Sequence, residues 1–439
     1  MTSKSVVVLC LVVLGLFYIY SDDNTRMSSD VFYQKVMASP PYKPLNTQAN
    51  LLQGLSKPNL QEIDAFQSGE SINYRSPDWI NNIKASWSEL TVSDVGNKVV
   101  VIETKQSVSD PDTLVYRYRA NEQTHLQLFE PWSASKVMAV TGAMLVAQEQ
   151  GINDDFKIGD AWFSDLVTSI HSYAPQGRAD GNSNAIATYF INSIGRKRLT
   201  ELFKQKWLNV GNSHINGAYG GTAFQPESNQ WQQTGKPPMK VEVFNPSSGD
   251  PNYLSYRCEH CAQTGNKPMS TLALAEWLKR LVVNQAEPST QLESINNFNL
   301  NLLFYGKQNN DNVTGMTAGI SRILANAIVQ SLLPEFVFDP NGEQAKQYLD
   351  KLTDGKWRIF QKIGWGYSGT RTAGEMIYLA HVSLPNINGG HEFTIAAQTS
   401  VSNKVDNDEE QNKVIEAGMK MQTLMNEIML QVVGSKTER

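Results

Sequence analysis

The order of strand-like and helix-like segments predicts an α+β fold of three layers, α/β/α, in which one antiparallel sheet is built from both chain ends and an all-helical subdomain is inserted between them. Three observations predict it. Two β-rich runs, Asn97–Lys105 and Thr113–Glu122, surround the turn sequence SDPD and read as a hairpin. A long block of helical patterns follows. Near the other end the period returns to that of strands in KWRIFQKIGWGYS, GEMIYLAHVSLP and HEFTIAAQTSV, before a closing helix. An active site is expected in the cleft between sheet and helical block.

From the N-terminus, Val6 to Tyr20 is an apolar run with Lys4 before it and Asp22 and Asp23 after it. The residues that follow it are bulky or charged where a signal peptidase needs small ones, so residues 1–21 read as a signal anchor with the N-terminus in the cytoplasm. A buried N-terminal helix is the alternative. Residues 22–95 mix Pro, Asn, Gln and Ser with short helical patches such as SPDWINNIKASWSEL, and read as a tether and docking extension. The domain proper is expected over 96–433, with a sheet subdomain of 96–130 and 356–433 and a helical subdomain of 131–355.

Within that domain, Val137 to Gln148 is nearly apolar all round, which predicts a helix buried at the centre. Helical patterns continue through DAWFSDLVTSI and NAIATYFINSIGRKRLTELFKQKWL. The Gly, Asn, Gln and Pro-rich stretch Asn212–Pro268 is too long for a simple connection. STLALAEWLKRLVVNQ and TAGISRILANAIVQSLL are two more helices. In the closing helix, Glu409–Val433, the apolar residues Val414, Ile415, Met421, Leu424, Met425 and Ile428 fall on one stripe.

Composition bounds the function. The chain has 439 residues, 41% of them apolar, and a net charge of −5. That is enough to bury a large core, and it leaves no basic field for nucleic acid. The cysteines number three. Cys10 lies in the apolar run. Cys258 and Cys261, with His260 between them, supply three of the four ligands of a structural zinc site, so a local disulfide is the better reading in an exported chain. A redox motif is the alternative, although the pair sits in a loop and not at a helix start.

The stretch LQLFEPWSASKVMAVTGAML carries the chemistry. Helical spacing puts Ser133 and Lys136 on one face, so the amine can reach the hydroxyl. A lysine buried against an apolar helix can lose its proton near neutral pH and act as a base. A capped helix with a surface lysine is the other reading of the same residues.

With the hairpin before it, SASKVMAVTGAML resembles the first motif of the serine β-lactamases and penicillin-binding proteins, the class A β-lactamases in particular. NSNAIATYFINSIG is similar to the second motif and its helix, STLALAEWLKRL to the helix after the active-site loop, and KIGWGYSGTR to the Lys-Thr-Gly strand and the arginine on the strand after it. The resemblance spans about Lys98 to Val433 and implies a β-lactamase/transpeptidase-like fold. It makes Ser133 the acylated nucleophile, Lys136 its base, Asn184 a holder of the substrate amide, Lys362 a positive charge in the cleft and Arg371 the clamp on a substrate carboxylate. The N–H groups of Ser133 and Trp365 would form the oxyanion hole.

Three departures stand beside the fit. Asn182 falls where the family has the serine that relays a proton, and Ser183, one residue on, substitutes only if the loop is rebuilt. Ile363 removes a hydroxyl from the third motif. QPESN, with Gln225, Glu227 and Asn229, falls where the family has a hydrolytic glutamate, and an amide cannot take a proton from water. The expectation is therefore a membrane-anchored hydrolase on the periplasmic side of the inner membrane. It would form an acyl-serine intermediate with a D-alanyl peptide of the cell wall or a β-lactam, deacylate slowly and need no metal or cofactor. An efficient β-lactamase and a degenerate binding protein of the cell envelope are the alternatives.

Overall fold

The computed structural model describes residues 27–46, 51–84, 87–220, 222–244, 249–250, 252–255, 264–307, 313–336, 342–402 and 410–434. Its main sheet has six strands: β1 (Gln67–Ser68), β2 (Lys98–Gln106), β3 (Leu114–Ala120), β4 (Arg358–Ser368), β5 (Ala373–Leu384) and β6 (His391–Ser402). They lie in the order β1-β3-β2-β6-β5-β4, every neighbouring pair antiparallel. The two chain ends meet where Val100 of β2 pairs with Ala396 of β6, as expected.

Alternation along the strands sets the layers. Val99 and Val101 enter one apolar core while Val100 and Ile102 enter the other, because successive side chains leave opposite faces of a strand. The helices that frame the sheet and the site include α1 (Lys136–Glu149), α2 (Phe163–Ser172), α3 (Ser183–Ile194), α4 (Thr271–Val282), α5 (Ile323–Leu332) and α6 (Glu410–Val432). On one face α5 and α6 pack, with the stripe Val414, Ile415, Met421, Leu424, Met425 and Ile428 turned inward. On the other, α4 covers the sheet and α1 lies behind it, buried from Lys136 to Ala147.

Two expectations need correction. The inserted subdomain is not all-helical: Phe156–Ile158, Ala161–Trp162, Gln230–Gln233 and Met239–Lys240 form a small antiparallel sheet. Its anchor is Trp231, fully buried and stacked on Phe156 at 5.2 Å between ring centroids; a run as short as QWQQ is too brief for its alternation to be read as a strand. Nor does the extension before the hairpin behave as a free tether over its described residues. Phe32, Val36 and Met37 are buried in the core under α6, and β1 pairs with β3. Tyr74 and Trp79 are buried in the opposite core, with Trp79 Nε1 donating to the Leu208 carbonyl at 2.7 Å.

The expected anchor, residues 1–21, and the expected disulfide of Cys258 and Cys261 lie outside the described residues. Among the described residues no helix is long and apolar enough to cross a membrane.

Candidate active site

The chain enters α1 through a tight 3-10 turn, Trp132–Ser135. Trp132 there has φ 46°, a left-handed conformation that costs a bulky side chain about 1–3 kcal/mol. Two contacts hold it. Its Nε1 donates to Glu375 Oε2 at 2.8 Å, and its ring fills the open face of Gly366. Ser133 is half-buried on the next residue. It does not cap α1, and Lys136 is fully buried, so the reading of a capping serine with a surface lysine fails. Gly364 on β4 brings the strand against this turn: a Cβ there would sit 2.5 Å from the Ser133 nitrogen and 2.8 Å from that of Ala134.

Lys136 points at the start of α3. Its Nζ donates to Ser183 Oγ at 2.9 Å and to Asn184 Oδ1 at 2.6 Å. Ser183 in turn donates to the Ile170 carbonyl at 2.8 Å, and Lys362 Nζ donates to the same oxygen at 2.7 Å. Ser133, Lys136, Ser183, Asn184 and Lys362 are thus gathered around the last turn of α2. The rebuilt loop that Ser183 requires is present. Gly181 has φ 88°, and the exposed Asn182 caps α3 by accepting from the Ala185 N–H at 3.1 Å. That cap turns Ser183 inward. Ser183 therefore lies inside the cleft against Lys136, and Asn182 caps the helix on its exposed side.

Three residues that the sequence reading missed complete the cleft. Tyr173, left-handed at φ 56° as the C-cap of α2, places its ring 3.8 Å from Lys362 Nζ and 5.3 Å from Lys136 Nζ. Its hydroxyl pairs with Ser133 and donates to the Ile363 carbonyl at 3.2 Å. The Tyr219 ring lies between Lys136 and Lys267, 5.2 and 5.0 Å from their nitrogens. Lys267 donates to the Ala218 carbonyl at 2.7 Å and to Asn266 Oδ1 at 2.9 Å. These residues sit in stretches with no periodic pattern, where only an aromatic next to a glycine-rich loop hinted at them.

This surrounding disfavours charge on the amines. Burial holds Lys136 well below the usual lysine range, and the nearby Lys267 adds to the effect. Lys362 is lowered in the same way, by burial and by Lys136. Burial pushes Lys267 down to about 8, against the pull of Glu130. His171, behind the two lysines, is pushed down to about 3 by burial and by Lys362. Among the described residues no carboxylate forms an ion pair with Lys136 or Lys362.

The other expected residues are placed as follows. Arg371 lies in the turn before β5, not on the strand. Its Nε and Nη2 grip the two oxygens of Glu375 at 2.7 and 2.6 Å, and Nη2 also donates to Glu130 at 3.1 Å. Ile363 points into the core under α6, so a hydroxyl in its place would face away from the cleft. Trp365 follows Gly364 on edge strand β4 and packs on Tyr173 at 5.9 Å between centroids. Gln225, Glu227 and Asn229 are exposed. Gln225 donates to the Ala223 carbonyl, Glu227 lies beside Gly159, and Asn229 accepts from Tyr189 at 3.4 Å. No contact among the described residues joins them to Ser133.

No protein-family model and no curated protein matches the chain. Solved structures are similar to it. A class A β-lactamase from Mycobacterium abscessus is 12% identical with a TM-score of 0.35, over 76% of this chain and 92% of that one. A class D β-lactamase from Nostoc is 13% identical with a TM-score of 0.32, over 75% and 95%, and a halotolerant bacterial β-lactamase is 13% identical with a TM-score of 0.31, over 76% and 93%.

Proposed function

We propose that the chain is a serine hydrolase that works through an acyl-Ser133 intermediate. The observation that carries the reading is the buried, carboxylate-free Lys136, one turn after the half-exposed Ser133 and 2.9 Å from Ser183 Oγ. An amine kept neutral by its surroundings can accept a proton. Ser133 Oγ attacks the acyl carbon as its proton passes to Lys136 Nζ, and the new oxyanion is held by the N–H groups of Ser133 and Trp365. The bond to the leaving atom then breaks as that atom takes a proton through Ser183, which Lys136 reprotonates. Lys362 steadies the relay through the shared Ile170 carbonyl. No step requires a metal or cofactor.

Release of the acyl group needs water and a base, and with no contact from Gln225 or Glu227 to Ser133 among the described residues the groups left for it are the buried amines, Lys136 first, which is already engaged by Ser183 and Asn184. Slow deacylation follows. D-alanyl peptides and β-lactams are the amides suggested by the motif resemblance, and the apolar run before Asp22 supports a site on the periplasmic side of the inner membrane. A binding protein without turnover is the second reading, favoured by the displaced QPESN loop.

Intact mass after incubation with a penicillin and with a simple thioester, beside Ser133→Ala, tests the proposal. A stable adduct of either on Ser133 alone is expected. Absence of adduct and of turnover with both, in a folded protein, refutes it in favour of the binding role.

A further inference from the structure

We infer that this site selects acyl donors with no carboxylate beside the scissile bond, because Arg371, the guanidinium expected to take that carboxylate, is already held by Glu375, which the sheet presents against Trp132, the residue before Ser133. The inference rests on the acyl-serine reading above and narrows its substrate class, setting aside the carboxylate-bearing D-alanyl peptides and β-lactams that the motif resemblance suggests.

Strand parity comes first. Ile377 and Leu379 of β5 belong to the core on the α1 side of the sheet, so Glu375, two residues earlier, leaves the same face. It pairs with Gly366 of β4, whose missing side chain makes room for the Trp132 ring. There its Oε2 accepts from Trp132 Nε1, one residue from Ser133. An acidic side chain thus occupies the strand position from which an arginine was expected to reach the substrate.

Arg371 is turned to this carboxylate. The edge formed by Nε and Nη2 is the edge with which a guanidinium takes a carboxylate in two parallel bonds. Glu375, with a side chain only 3% exposed, already fills it. Glu130 adds a second carboxylate on Nη2. Two acids thus share one guanidinium, with Lys267 near Glu130 and Lys98 near Glu375 as neighbouring amines. The amines of the cleft also face oxygens of the protein: Lys136 those of Ser183 and Asn184, Lys362 that of Ile170, Lys267 those of Ala218 and Asn266.

An incoming carboxylate would therefore have to displace Glu375 from Arg371 and then lie against it and Glu130, and like charges brought together in an interface oppose binding. A neutral thioester, ester or amide meets no such opposition. The apolar surface it finds is that of Trp132, Tyr173 and Trp365.

The test uses a matched pair of thioesters with one acyl group: in one the leaving thiol is mercaptoacetate, in the other its methyl ester. Thiol release and the mass of the adduct on Ser133 are followed. The wild type should be acylated by the neutral donor at least about tenfold faster, and Glu375→Gln, which loosens Arg371 and removes a negative charge, should narrow that ratio about tenfold. A wild type that reacts equally with both donors, or prefers the carboxylate, overturns the inference and leaves the acyl-serine reading standing. So does a folded Glu375→Gln with an unchanged ratio. Arg371→Ala serves if Glu375→Gln does not fold: a selective loss of reaction with the carboxylate donor would show that Arg371 is a clamp after all and overturn the inference, while a ratio still favouring the neutral donor supports it. Failure of both donors to label Ser133 removes the acyl-serine reading itself, and the inference with it.

Discussion

Gly364→Ala is the sharpest perturbation of the proposed site, because it adds one methyl group where the strand meets the nucleophile. The new Cβ would lie 2.5 Å from the Ser133 nitrogen, 2.8 Å from the Ala134 nitrogen and 2.9 Å from the Pro131 carbonyl oxygen. All three are backbone atoms, so no flexible side chain can swing aside. Ordinary contact begins near 3.4 Å, and strand and turn must separate by about 0.9 Å. Forcing a methyl into a packed interior costs about 1–3 kcal/mol. A reacting group displaced by ~1 Å loses on the order of 100-fold in rate, and here the displacement falls on the nucleophile and on both N–H groups of the proposed oxyanion hole. Urea denaturation and the rate of Ser133 adduct formation measure the two effects. Gly369→Ala is the control, since nothing lies within 4 Å of a Cβ at Gly369 in the same hairpin. The reasoning is refuted if Gly364→Ala forms the adduct within a factor of about three of wild type, well short of the loss expected for such a displacement, or if Gly369→Ala does equal damage.

Other consequences are as direct. Lys136→Met should abolish adduct formation yet raise the melting temperature at neutral pH, because the folded-state pKa of Lys136 lies well below 10.5 and unfolding takes up a proton there. Wild type should recover that deficit as pH rises toward 10.5, so a gain that is constant with pH speaks against a buried neutral amine. The wild-type acylation rate should rise with pH through that same lowered pKa and then level off; a rate rising only near 10.5 contradicts it. Ser183→Ala should slow adduct formation far more than Asn182→Ala, which removes a helix cap worth about 1 kcal/mol; the reverse order in the same mass assay returns the relay to Asn182. Tyr74→Phe removes a hydroxyl that meets Tyr118 at 2.5 Å and Lys279 at 2.8 Å, and should lower unfolding free energy by about 1–3 kcal/mol. A neutral result in urea would mean that the extension is only loosely attached.

The parts of the fold that repeat were the legible ones. Six apolar residues on one stripe placed α6, and the change of period after Lys356 placed the last three strands. What did not repeat was hidden. Trp231 anchors a strand of four residues, and Tyr74 meets Tyr118 of β3, more than 40 residues on, and Lys279, about 200 residues further on. The extension looked like a tether because its anchors follow no helical or strand period and lie among Pro, Asn, Gln and Ser. Yet each anchor is large and lands in a core built by distant segments.

The same division runs through the site. Ser133 and Lys136 are near in sequence, and helical spacing was enough to pair them. Ser183 was less legible, because the motif match falls on Asn182; its inward position depends on Gly181, whose left-handed backbone lets Asn182 cap the helix and turns its neighbour inward. Arg371 was expected on the strand for a related reason. A motif match assigns a residue its role by its position in the chain, whereas a sheet assigns it by parity and register. Arg371 stops in the turn, β5 begins at Ala373, and the first long charged side chain on the face toward Trp132 is that of Glu375. A displacement of four positions along one hairpin thus replaces a cation by an anion beside the nucleophile, and with it the kind of substrate that can approach.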